Sequence, residues 1–184
     1  MNIYVRRTVV VESVPVIQAV HVHLFDLNGL GPPGLAMLLQ RADNGQWGCI
    51  NSAISPGESP RDTAFRRVNE MIGHCPQFLI DAQRKLRVDL GQCYASISVF
   101  AAATWGSQVP VLNHESRRYR FDIPNEAIDQ IDSEEQRISY RWALHAMRAF
   151  EKAMHRVVPG PPATILSSPR YLLPVFRETA RILG

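Results

Sequence analysis

The chain has few cysteines, few aromatic residues and no long apolar run. Its 184 residues include three cysteines, Cys49, Cys75 and Cys93, which are widely spaced and form no C-x-x-C pair. Three such cysteines exclude a disulfide framework and favour free, buried thiols in a reducing compartment. No apolar segment approaches the roughly 20 residues that a membrane-spanning helix needs. We therefore expect a protein that does not enter the membrane.

The N-terminus gives only a faint signal for export. Arg6 and Arg7 precede the apolar run TVVVESVPV, which is the order found in a signal peptide. Glu12 and Pro15 interrupt that run, and no small-residue cleavage site follows clearly. We expect a cytoplasmic protein.

Neither sign of charge is in large excess. The formal net charge is +3 and the sequence pI is about 9.0, an excess that permits an anionic ligand but does not indicate nucleic-acid binding. Hydrophobic residues make up 46% and charged residues 20%, which is typical of a globular protein. The length suits one compact domain with a tail, and a core of that size needs no disulfide or structural metal. We predict a domain over residues 1–157, followed by a linker and an amphipathic helix over 158–184.

The apolar pattern predicts strands and helices in mixed order. Ser59, Pro60 and Asp62 form a strong helix start, Gly73 ends that helix, and Phe65, Val68 and Ile72 are its predicted buried stripe. A capping-box pattern, Ser133 to Gln136, opens a second helix to about residue 157, for which we predict a stripe of Ile138, Trp142, Ala146, Ala149 and Ala153. Strands are predicted at residues 3–11, 19–27, 35–41, 84–89, 93–103 and 119–123. This order indicates an α/β sandwich.

The segment 52–74 reads SAISPGESPRDTAFRRVNEMIGH and carries the most specific signal in the chain. It resembles the Nudix box, G-x5-E-x7-R-E-U-x-E-E-x-G-U, in which U is an aliphatic residue. The pattern positions that match in register are Glu58, Arg66, Val68, Glu70 and Gly73. Among the positions that depart, Ser52 stands for the first glycine, and Arg67 and Met71 stand for acidic residues.

The resemblance implies a Nudix-type α/β/α sandwich with a mixed sheet, and an Mg- or Mn-dependent pyrophosphohydrolase ancestry. Divalent metals in such chemistry take oxygen ligands, mainly carboxylates, and they activate the attacking water. The helix face that would supply them holds Arg67, Glu70 and Met71, so one carboxylate of three remains. We hypothesise that the Arg67 guanidinium partly substitutes for the missing cation by pairing with Glu70. In the family, the equivalents of Glu58 and Arg66 form a structural pair between the preceding loop and the helix.

Two flanking segments extend the resemblance to roughly residues 15–150. Trp47 fits the loop before the box, although Ile50-Asn51-Ser52 replaces the usual Pro-Gly-Gly. The segment 111–131 is similar to a downstream segment of nucleoside triphosphate pyrophosphohydrolases, and Glu115 falls where some members carry an extra acid. The resemblance therefore implies Glu70 and Glu115 as the catalytic and metal-binding residues of a working enzyme.

Several other groups could carry chemistry. The basic cluster Arg117, Arg118 and Arg120 could bind phosphate, and a solvated face is the equal alternative. His21 and His23 share a strand face and could bind a metal. Because no cysteine lies nearby in sequence, we instead expect a solvent-facing or ligand-facing pair. The pairs His74-Cys75 and His114-Glu115 are weak candidates, because the first lacks an orienting residue and the second lies on an extended segment whose neighbours point apart.

Three functions follow as hypotheses. We favour a Nudix-fold protein with a decayed metal site that binds a nucleotide or another phosphate-containing ligand with little or no hydrolysis. One alternative is an active Mg- or Mn-dependent pyrophosphohydrolase of nucleoside diphosphate-linked substrates. The other is a protein–protein interaction scaffold that uses the C-terminal helix. Family members often form dimers, so a homodimer is also open.

Overall fold

The computed structural model describes residues 14–27, 34–104 and 109–157, and it describes side chains as far as residue 154. The strand predicted at 3–11 and the C-terminal segment 158–184 lie outside these ranges. Within them, no helix is long and apolar enough to cross a bilayer. The elements in chain order are β1 (Val16–Asp26), β2 (Leu35–Arg41), β3 (Trp47–Gly48), β4 (Ile50–Ala53), α1 (Pro60–Ile72), β5 (Phe78–Asp89), β6 (Tyr94–Thr104), β7 (Ser116–Asp122), α2 (Pro124–Gln130) and α3 (Glu134–Val157).

The strands form one mixed sheet in the order β3-β2-β1-β6-β5, with β4 on β1 and β7 on β2. β1 and β6 run parallel along their whole length, and the other pairings are antiparallel. β1 pairs with β4 over its first half, Ala19 to Val22, and with β2 over its last residues, Leu24 to Asp26. The sheet therefore divides into two branches at β1. The mixed sheet confirms the predicted α/β class.

Each face of the sheet packs against a helix. Val20, Val22 and Leu24 of β1 belong to the core under α1, whereas Phe25 belongs to the core under α3. The predicted alternation along β1 is right, but the alternative that His21 and His23 face solvent is wrong. Both imidazoles are buried, with 6% and 2% of their surfaces exposed, because α3 covers their face of the strand.

The first helix begins and ends where its sequence predicts. The Ser59 hydroxyl accepts a hydrogen bond from the Asp62 N–H at 3.1 Å, and Gly73 ends the helix in a left-handed conformation with φ of 77°. Of the predicted stripe, Val68 and Ile72 are buried, but Phe65 is 43% exposed. The buried face is centred on Ala64, Val68 and Met71 instead, so Phe65 falls at its edge.

The predicted stripe of α3 is wrong by part of a helical turn. Ile138, Trp142, Ala146 and Ala153 are half-buried, and Ala149 is exposed. The helix has apolar side chains around more than one face, and the sheet buries the face that carries the larger ones. Those buried residues are Tyr140, Ala143, Leu144, Met147, Phe150 and Met154.

Candidate functional site

A cavity of about 390 Å³ opens beside α1 where the sheet divides. Its walls come from β2 and the following turn, from the β3–β4 segment, from α1 and from the residues that lead into β7. Volumes of this order are typical of small-molecule sites. The lining residues are Leu39, Arg41, Ala42, Asp43, Cys49, Ile50, Asn51, Arg67, Met71, His114, Glu115 and Ser116.

One guanidinium joins the two acidic residues that the sequence selects. Arg67 Nη1 donates to Glu70 Oε2 at 2.8 Å and to Glu115 Oε1 at 3.1 Å, and Nη2 donates to Glu115 Oε2 at 2.6 Å. Nη2 also lies 3.6 Å from the sulfur of Met71. Only 13% of the Arg67 side chain is exposed. Arg67 therefore makes the contact with Glu70 that the substitution hypothesis requires, and it brings Glu115 into the same cluster.

A second arginine connects the loop before α1 to the helix. Arg66 donates to both carboxylate oxygens of Glu58, at 2.8 and 2.9 Å, and to Glu70 Oε1 at 2.8 Å. The Arg66 guanidinium lowers the pKa of Glu58 to about 2, and it also lowers the pKa of Glu70. Arg67 likewise holds the pKa of Glu115 below its usual range. All three carboxylates are thus ionised at neutral pH.

The residues at this face do not fit the divalent metal site that the box implies. Both oxygens of Glu70 accept from Arg66 and Arg67, and both oxygens of Glu115 accept from Arg67. A hard divalent cation needs several oxygen ligands that lack a competing cation. Here it would have to displace a guanidinium whose charge is permanent. Met71 offers only a thioether in place of a carboxylate.

The predicted basic cluster does not line the cavity. Arg117 and Arg118 are exposed on β7, and Arg120 donates to Asp122 and Gln130 and lies over the Trp47 ring. The cavity has a different arginine, Arg41, which sequence reasoning missed. Arg41 ends β2 just before the Asp43 turn, and it forms an ion pair with Asp43 at 2.5 Å. Its only signal in the sequence is a basic residue after an apolar strand, which is too common to select it.

Of the weak candidates His114-Glu115 and His74-Cys75, only the first lies at the cavity. His114 is exposed beside Glu115 and lines the cavity. Neither ring nitrogen of His74 has a hydrogen-bond partner among the described residues, and Cys75 is exposed. His74 and Cys75 are absent from the cavity lining.

The loop that replaces the Pro-Gly-Gly turn is anchored to the start of α3. The Trp47 N–H donates to Asp132 at 2.6 Å, and the Cys49 N–H donates to Gln136 Oε1 at 2.9 Å. A Cβ on Gly48 would lie 1.9 Å from Gln136 Oε1, so a larger residue would displace the Gln136 side chain from the Cys49 N–H. The segment that lines the cavity is therefore held by α3.

Comparison with known proteins gives fold-level matches. No family model and no curated protein matches the chain. The E. coli dihydroneopterin triphosphate pyrophosphohydrolase is 19% identical, with a TM-score of 0.59 over 70% of this chain and 94% of that one. The C. elegans Ap4A hydrolase binary complex is 17% identical, with a TM-score of 0.55 over 68% and 93%. The NUDIX domain of Shewanella oneidensis NrtR, complexed with ADP ribose, is 13% identical, with a TM-score of 0.57 over 70% and 86%. These matches show that the chain has the fold of the Nudix hydrolases.

Proposed function

We propose that this protein binds a nucleotide or another phosphate-containing ligand with little or no metal-dependent hydrolysis. The observation that carries the proposal is the position of Arg67 between the carboxylates of Glu70 and Glu115. The two guanidinium groups of Arg66 and Arg67 offset two of the three carboxylate charges of Glu58, Glu70 and Glu115, so a net charge of −1 remains. Both carboxylates that would hold a metal are therefore already paired with a cation.

Loss of the metal would remove most of the rate acceleration of hydrolysis. Attack on a diphosphate by water requires an activated nucleophile and stabilisation of the charge that develops on the phosphate oxygens. A metal ion supplies both, whereas a guanidinium stabilises charge but does not lower the pKa of a bound water in the same way. Electrostatic stabilisation usually contributes more to catalysis than any other effect, so the expected loss is several orders of magnitude.

The cavity retains features that suit a phosphate-containing ligand. Arg41 and Arg67 line it, and a guanidinium can donate two parallel hydrogen bonds to phosphate oxygens. Arg41 is paired with Asp43, and Arg67 with Glu70 and Glu115, so a phosphate would share or exchange these partners. Leu39, Ile50 and Met71 provide an apolar surface for a base or another flat group. The Shewanella oneidensis domain of the same fold is complexed with ADP ribose, and the C. elegans protein is an Ap4A hydrolase. Both ligand names contain adenosine phosphates, which makes that class the first to test.

Binding can be tested without metal. We expect ADP ribose, a dinucleoside polyphosphate or a nucleoside triphosphate to raise the melting temperature in the presence of EDTA, because a ligand that binds only the folded state stabilises it. Arg41→Gln should weaken this stabilisation. Arg118→Gln is the matched control, since Arg118 is exposed and does not line the cavity. No stabilisation by any ligand, or equal loss in both variants, would contradict the proposal.

Hydrolysis can be tested by restoring the acids. The double variant R67E/M71E would place three carboxylates at positions 67, 70 and 71, and we expect it to bind Mn²⁺ and to gain hydrolytic activity. R67Q/M71Q is the matched control, because it removes the same two side chains without adding charge. Wild-type turnover with Mg²⁺ or Mn²⁺ that disappears in Glu70→Gln would show instead that the remaining carboxylates suffice.

A further inference from the structure

A polar cluster lies on the face of β1 that is opposite to α1. One ring nitrogen each from His21 and His23 and the sulfur of Cys49 lie within 4.8 Å of one another, and all three residues are buried. No other cysteine, histidine or carboxylate belongs to this group among the described residues. Two imidazoles and one thiolate are a ligand set that soft and borderline metal ions prefer.

We propose that His21, His23 and Cys49 form a binding site for a thiophilic metal ion, and that Cu⁺ fits the site best. This inference does not rest on the proposed function, because the three residues lie outside the Nudix box. In a three-coordinate site, bond lengths of about 2.0–2.3 Å place the ligand atoms about 3.5 Å apart. The present separations are close enough for shifts of about an ångström to complete the site.

The first two turns of α3 hold the two imidazoles and the backbone of Cys49 in place. The Ser139 hydroxyl lies 3.0 Å from His21 Nδ1 and 2.8 Å from His23 Nε2, and it donates to the Gln136 carbonyl at 3.0 Å. The Gln136 side chain accepts from the Cys49 N–H at 2.9 Å. Residues that orient the ligands in this way are a regular part of metal sites. The cluster is therefore preorganised by hydrogen bonds from one helix.

Burial keeps both imidazoles in the form that binds metal. It lowers the pKa of His21 to about 4 and that of His23 well below its usual value, so both rings are neutral at pH 7. It raises the pKa of Cys49 to about 12, so the thiol must release its proton to solvent when the sulfur–metal bond forms. Cys49 also lines the cavity beside α1, so the cluster lies next to it.

The charge of the site selects among metals. Two neutral imidazoles and one thiolate carry a charge of −1, so Cu⁺ would form a neutral site in a buried environment. Zn²⁺ would leave a net positive charge in the core, which is costly, and it usually requires a fourth ligand. Cu⁺ also accepts three ligands and prefers thiolate.

The test uses the full chain with Cys75 and Cys93 replaced by serine, which leaves Cys49 as its only thiol. We expect this variant to bind one Cu⁺ per chain, in competition with a chromogenic Cu⁺ chelator, and to show a thiolate-to-copper absorption band. His23→Gln in the same background should weaken binding by at least about tenfold. Circular dichroism would verify that each variant folds.

A second arm distinguishes the metals. Titration with Co²⁺, as a probe for Zn²⁺, should give no thiolate-to-cobalt band. If that band appears and Cu⁺ does not bind, the site exists but its assignment to Cu⁺ is overturned. If neither ion produces a thiolate band in the variant whose only thiol is Cys49, the proposal is overturned.

Discussion

Two polar clusters lie on opposite sides of the sheet, and they differ in how far their polar groups are buried and charged. On the α1 side, charged residues meet at the edge of the cavity, where Glu70 and Glu115 are each about 40% exposed. On the α3 side, His21 and His23 are buried, neutral and bonded to Ser139. Full charges remain where water reaches them, because burying a charge costs far more than burying a hydrogen-bonded neutral group.

The difference in burial also predicts different stability costs for changes in the two clusters. Exposed ion pairs typically contribute about 0–1 kcal/mol each, so the half-exposed glutamates of the charged cluster can be changed at small cost to the fold. A buried polar group that loses its partner costs about 1–3 kcal/mol, so the histidine cluster is tied to the core. Substitutions on the α1 side should therefore cost less stability than substitutions on the α3 side.

The strongest test of this contrast is Tyr140, which lies beside the histidine cluster. Tyr140 is 1% exposed, and its ring centroid lies 5.3 Å from that of His23 and 5.9 Å from that of Phe25. Its hydroxyl donates to the Pro124 carbonyl at 2.7 Å. We expect Tyr140→Ala to lower the free energy of unfolding by about 3–5 kcal/mol. Tyr140→Phe should cost about 1 kcal/mol, because only the hydrogen bond is lost. Urea denaturation measures both, and similar values for the two variants would contradict the packing argument.

A sharper test removes the hydroxyl that both histidines share. Ser139→Ala leaves two buried ring nitrogens without that partner, and we expect a loss of about 1–3 kcal/mol in the free energy of unfolding. Ser55→Ala is the control, since Ser55 is exposed. A loss no larger than that of the control would show that the buried cluster is as tolerant as the charged one.

The charged cluster should respond much less. Glu115→Gln removes one partner of Arg67 at a side chain that is 42% exposed, and we expect a change within about 1 kcal/mol. The difference from wild type should shrink at high salt, because salt screens exposed charges. Denaturation at low and high NaCl checks this, and a large loss that is insensitive to salt would break the comparison.

The smallest effect is expected from acid titration of Glu58. Its pKa in the folded protein is about 2, below the ordinary value of 4.5, because Arg66 bonds to the ionised form. The stability that the carboxylate contributes is present above pH 4.5 and is lost as the pH falls from 4.5 towards 2. The difference in melting temperature between wild type and Glu58→Gln should therefore shrink over this range. A difference that stays constant with pH would show that the pKa is not lowered.

Local sequence patterns predicted much of the fold. Ser59, Pro60 and Gly73 determined the bounds of α1, because caps and left-handed ends depend on nearby backbone geometry. The short strands β3 and β4 and the helix α2 were not predicted, since two to seven residues carry too little periodicity. The buried face of α3 was predicted wrongly because its apolar residues cover more than one face. Only packing against the sheet selected Tyr140 and Met147.

Local sequence likewise predicted one part of the candidate site and missed the rest. Spacing within one helix predicted that Arg67 and Glu70 could pair, since residues three apart are neighbours there. The sequence by itself therefore determined the helix α1 and the placement of Arg67 and Glu70 within reach of each other on it. Only the tertiary structure decided that Glu115 meets Arg67 across 48 positions, that Arg41 lines the cavity, and that Cys49 lies beside His21 and His23. The physical reason is that strand pairing and helix docking bring together residues that no local spacing relates.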